Sequence, residues 1–157
     1  MREYLNIGAD APDFTSIDQN GNSLSLSDFK GKKIALYFYP EDDTPGCTLQ
    51  ACNVRDNIQA LKDKNIVILG VSIDGQDSHH RFSEKFQLNF PLVVDTDKNI
   101  VNAYKVYGEK NLYGNITIGT YRVTYLIDEN GKIKHIIKKV KVAEHAQQII
   151  DAFEKVK

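Results

Sequence analysis

The 157-residue sequence predicts a three-layer α/β fold, in which helices cover both faces of one mixed β-sheet and a β-hairpin precedes that sheet. Two continuous apolar runs, residues 33–39 and 66–73, are typical of strands that are covered on both faces. A helical pattern separates these runs, which predicts a parallel crossover connection. Two Asn-Gly pairs mark tight turns near the two ends of the chain, so antiparallel strands should accompany the parallel ones.

The predicted elements follow the chain in order. The N-terminal hairpin joins residues 13–17 and 23–26 through Asn20-Gly21, a pair that accepts the positive φ angles of a tight turn. The strand at 33–39 then leads into a helix that begins at Pro45 and continues to about Lys64. After the strand at 66–73, the pattern predicts a helix at 77–87, a strand at 92–95, a helical turn at 98–105, two strands at 121–127 and 132–140 joined by Asn130-Gly131, and a closing helix at 143–156.

Composition and length predict an ordinary globular protein. The chain is 41% hydrophobic and 26% charged, with a formal net charge of −1. At this length, folding buries about two-thirds of the surface that the unfolded chain exposes, which is enough for one core. The sequence has no internal repeat and no linker-like tract, so we expect a single domain over residues 1–157.

The sequence lacks the features of membrane-spanning, secreted and nucleic-acid-binding proteins. The longest apolar runs fall far short of the roughly 18 residues that a membrane-spanning helix needs, and residues 1–10 lack the apolar core of a secretory signal. We therefore expect a cytoplasmic protein without membrane association. The predicted C-terminal hairpin is basic, but lysines commonly protect exposed strands, so we interpret it as a solvated face and expect no nucleic-acid binding. Its lysines are Lys132, Lys134, Lys138, Lys139 and Lys141.

Cys47 and Cys52 are the only cysteines. Two cysteines are too few for a disulfide scaffold in a chain that can build its own core, which favours redox chemistry over a structural role for these thiols. Thr44 is a good helix N-cap and Pro45 fits the first helical position, which places Cys47 in the first turn. The unpaired N–H groups and partial positive charge of a helix N-terminus favour the nucleophilic thiolate over the thiol.

The spacing of the two cysteines predicts different environments for them. Cys47 lies on one apolar helical stripe with Ala51, Val54, Ile58 and Leu61, so it should face the sheet. Cys52 lies about 140° around the helix, with its Cα about 8.7 Å from that of Cys47. A disulfide needs a Cα separation below about 7 Å, so bonding would require the first two turns to unwind. From spacing alone, two inert buried thiols remain the alternative.

The sequence around these cysteines resembles the active-site signature of the peroxiredoxins, specifically the bacterioferritin comigratory protein or PrxQ branch. Tyr-Phe-Tyr-Pro at 37–40 and Thr-Pro-Gly-Cys-Thr-Leu-Gln-Ala-Cys at 44–52 carry the resemblance, which extends through 8–14, 71–72, 90–92 and 122–128. It implies a thioredoxin-like fold and an enzyme that reduces hydroperoxides with a thiol. It also implies antioxidant defence, with thioredoxin or a similar dithiol as the reductant and no metal or organic cofactor.

The resemblance assigns roles residue by residue. Cys47 matches the peroxidatic cysteine, which forms a sulfenic acid, and Cys52 matches the resolving cysteine, which closes an intramolecular disulfide. Because that disulfide requires no second subunit, we expect a monomer. Arg122 would add a permanent charge beside the sulfur, Thr44 would hydrogen-bond the thiolate or the substrate, and Pro45 would exclude water. Without the resemblance, Arg122 would be interpreted as a solvated charge at a strand end.

Several other residues are interpreted as structural or solvated. Gln50 is a minor candidate for orienting the active-site loop, although a solvated helix surface is the simpler interpretation. His79 and His80 are adjacent and point about 100° apart on a helix, so we expect surface positions and no metal site. The Gly- and Tyr-rich stretch at 107–119 is interpreted either as a mobile loop bordering the site or as a long connection.

Two alternative functions remain open from the residues. A general disulfide oxidoreductase usually has Cys-x-x-Cys, which keeps both sulfurs at one helix end, and the Cys-x4-Cys spacing here disfavours it. A non-catalytic binding module on a thioredoxin-like scaffold would use both cysteines as core residues.

Overall fold

The computed structural model describes residues 2–156, apart from the side chain of Leu112, so the two end residues of the predicted domain lie outside the described part. Short 3-10 turns occupy Leu26–Phe29 and Val142–Glu144. The strands and helices in the described part are β1 (Thr15–Ile17), β2 (Ser23–Ser25), β3 (Lys33–Phe38), α1 (Pro45–Asp56), α2 (Ile58–Asp63), β4 (Ile66–Ser72), α3 (Gln76–Phe86), β5 (Leu92–Val94), α4 (Asn99–Ala103), β6 (Tyr107–Leu112), β7 (Asn115–Thr120), β8 (Val123–Ile127), β9 (Ile133–Ile137) and α5 (His145–Lys155).

A five-stranded mixed sheet forms the centre of the fold, with strand order β5-β4-β3-β8-β9. Strands β3, β4 and β5 are parallel, whereas β8 and β9 are antiparallel to their neighbours. The predicted N-terminal hairpin is present as β1 and β2. Gly21 and Gly131 both have φ of +79° in their turns, which explains why glycine follows asparagine there. The prediction of a mixed sheet is therefore confirmed.

Both faces of this sheet are covered, as predicted. Successive side chains of β3 point to opposite faces, so Ala35 and Tyr37 join the core formed with α1 and α5, while Leu36 and Phe38 join the core on the α4 side. The α1 stripe that contains Cys47 is buried against the sheet. Two separate apolar layers therefore enclose the strands, and the three-layer prediction is confirmed. None of the helices in residues 2–156 has both the length and the apolar character needed to cross a bilayer.

Two local predictions were wrong. The helix predicted from Pro45 to about Lys64 is divided into α1 and α2 at Asn57, whose side-chain amide donates to the Asn53 carbonyl at 2.8 Å. Asparagine side chains compete in this way for helical hydrogen bonds. The stretch at 107–119 is largely the β6–β7 hairpin, not a loop. Its turn residues Tyr113 and Gly114 both have positive φ, +54° and +83°. The sequence analysis located hairpin turns by Asn-Gly pairs, so it did not detect this Tyr-Gly turn.

Candidate active site

The start of α1 has the predicted cap geometry. Thr44 is the N-cap with extended backbone angles, and Pro45 occupies the first turn. The Thr48 N–H donates to the Thr44 carbonyl at 2.8 Å, which closes the first helical hydrogen bond. The Thr44 hydroxyl donates to the Glu41 carbonyl at 2.9 Å and does not cap the helix. That hydroxyl must rotate before it can donate to a substrate.

Cys47 and Arg122 meet at the first turn of α1. Cys47 is only 2% exposed and faces the sheet. Arg122 lies immediately before β8, and its Nη2 is 3.2 Å from the position that a Cβ on Gly46 would occupy. The guanidinium therefore covers the first turn, and glycine at position 46 leaves the room it needs. Two features that carry positive charge, the helix N-terminus and the guanidinium, therefore meet at the helical turn that contains Cys47.

Gln50 is not on a solvated surface, so that interpretation was wrong. Its side chain is fully buried. Its Oε1 accepts a hydrogen bond of 2.6 Å from Nη1 of Arg122, and its Nε2 lies 3.2 Å from Nδ1 of His145. On a helix with 3.6 residues per turn, Gln50 lies outside the apolar stripe that contains Cys47. The side of α1 that carries Gln50 is nevertheless covered by α5. Only the tertiary contact buries it.

Cys52 lies on the outer side of α1. Both cysteines are free thiols, and Cys52 is partly exposed. It opens onto a shallow pocket of about 430 Å³ that also includes Pro45, Leu49 and Phe86. A larger pocket of about 640 Å³ lies beside α4 and contains neither cysteine. In the intact helix the two thiols therefore point toward different environments.

The β6–β7 hairpin borders the site through Lys110, which the sequence analysis missed. Burial and, secondarily, the nearby Arg122 guanidinium lower the pKa of Lys110, whereas Cys47 raises it. On the sheet side, burial raises the pKa of Tyr37 well above its usual value, with a further contribution from Cys47. Cys47 therefore influences the pKa of a buried phenol on the sheet side and of a lysine on the hairpin side.

His79 is fully buried, so its predicted surface position was wrong. Its Nδ1 lies 2.6 Å from Oδ2 of Asp42, and its Nε2 lies 2.8 Å from the Val93 carbonyl oxygen. Asp42 also accepts hydrogen bonds from the Tyr39 hydroxyl at 2.6 Å and from the Ser78 hydroxyl at 2.8 Å. This network fastens the loop before α1 to α3. The local sequence around His79 and His80 did not predict this network, because its other members come from elements that are distant in sequence.

Asp42, Asp74 and His79 bring potential ligand atoms within 4.8 Å of one another. The distance of 2.6 Å between Nδ1 of His79 and Asp42 is that of a hydrogen bond and leaves no space for an ion between the two. Asp74 accepts from the Asp42 backbone N–H at 2.9 Å and from the Ser72 hydroxyl at 2.7 Å. These contacts fit a hydrogen-bond network, and the expected absence of a metal stays a prediction.

Comparison with known proteins gives consistent matches over nearly the whole chain. Residues 7–136 match the AhpC/TSA family. The chain is 40% identical over 147 residues to peroxiredoxin Bcp of Escherichia coli (strain K12), covering 94% of each protein. It is 41% identical over 146 residues to peroxiredoxin Bcp of Bacillus subtilis (strain 168), covering 93% of each.

Solved structures give the same result. The crystal structure of a mutant of PrxQ from Xylella fastidiosa superposes with a TM-score of 0.90, at 30% identity and 98% coverage of both chains. A structure of the bacterioferritin comigratory protein of Xanthomonas campestris has a TM-score of 0.84, at 34% identity and 92% coverage of both chains. The predicted thioredoxin-like fold is confirmed. The chain therefore belongs to the AhpC/TSA family and, within it, to the Bcp/PrxQ peroxiredoxins, which are enzymes that reduce peroxides with a cysteine thiol.

Proposed function

We propose that Cys47 is the peroxidatic cysteine and Cys52 the resolving cysteine of this enzyme. The observation that carries the proposal is the position of Cys47, in the first turn of α1 and next to the glycine that the Arg122 guanidinium covers. Both the helix N-terminus and the guanidinium favour a thiolate at this place.

The first chemical step is attack of the Cys47 thiolate on one oxygen of the hydroperoxide. The S–O bond forms as the O–O bond breaks, which leaves a sulfenic acid on Cys47 and releases water or an alcohol after protonation. Arg122 can stabilise the negative charge that develops on the departing oxygen. Pro45 and Thr44 form the rim of the site, where Pro45 limits access of water and Thr44 offers its hydroxyl to the substrate.

The second step joins the two cysteines. The Cys52 thiol displaces water from the sulfenic acid and forms an intramolecular disulfide. Because both residues lie in one intact helix, the segment between them must unwind first. Gln50 lies in this segment, so unwinding also breaks its hydrogen bonds to Arg122 and His145. Resolution therefore dismantles the arrangement that supports the first step.

The third step is reduction of the disulfide by a dithiol protein such as thioredoxin, which restores both thiols. Cys52 is partly exposed beside Leu49, which is 49% exposed, and this accessible apolar edge supports approach of a protein reductant. The Xanthomonas campestris relative is described for alkyl peroxide reduction activity. We accordingly assign both hydrogen peroxide and organic hydroperoxides as substrates.

The wider assignments rest on the same chemistry. The continuous five-stranded sheet supports one thioredoxin-like domain over residues 1–157. An intramolecular disulfide needs no partner subunit, which favours a monomer. Thiol–disulfide chemistry supplies the electrons without a metal or organic cofactor. We place the protein in the cytoplasm, with no role for a membrane or nucleic acid in its activity.

Mass spectrometry tests the cysteine roles. One equivalent of hydrogen peroxide should remove two hydrogens from the reduced protein and link Cys47 to Cys52 within one tryptic peptide, because no Lys or Arg lies between them. The Cys52→Ser variant should instead accumulate a sulfenic acid on Cys47 that a dimedone probe traps. A non-catalytic module would oxidise slowly and unselectively, and peroxide consumption by Cys47→Ser with a thioredoxin system would refute the assignment.

A further inference from the structure

His145 is a fully buried histidine at the start of α5, outside the set of residues that the peroxidatic chemistry uses. Its imidazole lies between two elements of the site. Nδ1 lies 3.2 Å from Nε2 of Gln50 in α1, and Nε2 lies 2.8 Å from the hydroxyl of Thr124 in β8. The Tyr37 ring contacts the imidazole edge-on, with 5.2 Å between ring centroids.

The direction of every hydrogen bond in this chain of residues is determined by Arg122. A guanidinium can only donate, so its 2.6 Å contact fixes Oε1 of Gln50 as the acceptor. The Gln50 NH₂ group then faces His145, and as a donor it requires a lone pair on Nδ1. The remaining hydrogen of the neutral ring must therefore be on Nε2, where it is donated to the Thr124 hydroxyl.

The neutral form of His145 is also the one that its surroundings favour. Burial and, secondarily, the charge of Arg122 lower the pKa of His145 to about 3. Protonated Nδ1 would direct a hydrogen at the Gln50 NH₂ group. Neutral His145, in contrast, disfavours a 180° flip of the Gln50 side-chain amide. The flipped amide would place its oxygen next to the Nδ1 lone pair of His145 and its NH₂ group next to the Arg122 guanidinium.

We propose that His145 is a positioning residue for the peroxidatic reaction. The imidazole holds the Gln50 amide with its oxygen toward Arg122, and through that hydrogen bond it holds the guanidinium over the Cys47 turn. The proposal rests on the roles proposed above for Cys47 and Arg122. His145 acts through Gln50, which couples α5 and β8 to the charge beside the sulfur.

Two similarly sized variants separate this role from simple packing. In His145→Asn, the side-chain oxygen can occupy the place of Nδ1 and accept from Gln50. In His145→Gln, the longer amide reaches the place of Nε2 and thus contacts Thr124 but does not reproduce the acceptor at Nδ1. Positioning predicts that His145→Asn stays close to the unmodified protein, whereas His145→Gln reacts with hydrogen peroxide about tenfold more slowly, a typical effect of losing an orienting partner.

The readouts are the second-order rate constant of reduced protein with hydrogen peroxide and the pH midpoint of Cys47 alkylation by iodoacetamide, the latter in a Cys52→Ser background. We expect the alkylation midpoint of His145→Gln to move to higher pH, because a displaced Arg122 stabilises the thiolate less. Equal rates and midpoints for His145→Asn and His145→Gln would overturn the proposal.

Asn53→Ala is the matched control. Asn53 joins the same two helical regions, since its Nδ2 donates to the Ala143 carbonyl at 2.9 Å and its Oδ1 accepts from the Ala146 N–H at 2.8 Å. It does not belong to the Arg122 chain of hydrogen bonds, so its loss should lower stability without moving the alkylation midpoint. An equal shift in Asn53→Ala would reduce His145 to a packing role. Retained activity in Cys47→Ser would be a separate result, because it would refute the proposed function itself.

Discussion

His79 and His145 are both fully buried near α1, yet the partners of their Nδ1 atoms differ: a carboxylate for His79 and the Gln50 NH₂ group for His145. Both nitrogens of His79 lie within hydrogen-bond distance of an oxygen atom, Nδ1 of the Asp42 carboxylate and Nε2 of the Val93 carbonyl. His145 accepts on one side and donates on the other, and a guanidinium acts on it through Gln50. Burial alone therefore does not set the hydrogen-bonding environment of a histidine; the chemistry of its neighbours does.

The two histidines also support different parts of the site. His79 fixes Asp42 and hence the loop that leads into α1, whereas His145 holds the side of α1 that carries Gln50. The buried Asp42 carboxylate is costly to leave without its partner, because removing the His79 ring takes away a close hydrogen-bond contact that water cannot replace. Neutral His145 has no charged partner to leave unpaired at pH 7. In acid, however, keeping its imidazole neutral in the folded protein lowers the free energy of unfolding, because the unfolded chain can bind a proton there. Stability measurements can distinguish these two behaviours.

The largest expected effect is that of His79→Leu. This change leaves the Asp42 carboxylate buried without its imidazole partner, and we expect the free energy of unfolding to fall by about 3 to 5 kcal/mol. Urea unfolding of the reduced protein at pH 7 measures it. The neighbouring His80 is half-exposed, so His80→Leu should cost no more than about 0.5 kcal/mol. Similar losses in the two variants would show that the buried pair contributes little.

Acid should reveal the contrasting state of His145. Its folded-state pKa of about 3 lies below the usual value of about 6.5, so between these limits the unfolded chain binds a proton that the folded chain excludes. The contribution of neutral His145 is therefore complete above about pH 6.5 and is lost as the pH falls toward 3. Between pH 7 and 4.5, the unmodified protein should lose about 2 to 3 kcal/mol relative to His145→Asn. Parallel stability profiles for the two proteins, measured by urea unfolding, would contradict this assignment.

A smaller effect is expected when Tyr39, which contacts Asp42, is replaced by phenylalanine, and the same substitution at Tyr37 is the control. Tyr39→Phe removes a hydroxyl that donates to the buried carboxylate, which should cost about 1.5 to 3 kcal/mol. Tyr37 is buried on the same strand face, but its hydroxyl has no hydrogen-bond partner among the described residues. Tyr37→Phe should therefore be neutral or slightly stabilising, and urea unfolding at pH 7 measures the change for both variants. A reversed order would show that the Tyr39 hydroxyl is not important for Asp42.

The sequence predicted those parts of the site that depend on local rules. Thr44 and Pro45 specify a helix start, and the helical period then places Cys47 in the first turn and on the buried stripe. Arg122 was identified only through the family resemblance, since nothing in its local sequence distinguishes it from a solvated charge. Gln50 and His79 were wrongly interpreted as surface residues, because their burial depends on elements that are far away in sequence.

By itself, the sequence determined the α/β pattern, the turns and the helical position of Cys47, since hydrophobic period, capping and turn chemistry act over a few residues. Tertiary structure alone decided which side chains surround that cysteine. Gln50 and His145 are brought together across 95 positions, and Asp42 and His79 across 37 positions. Hydrogen-bond partners at such separations depend on how the layers pack, which no local sequence pattern specifies.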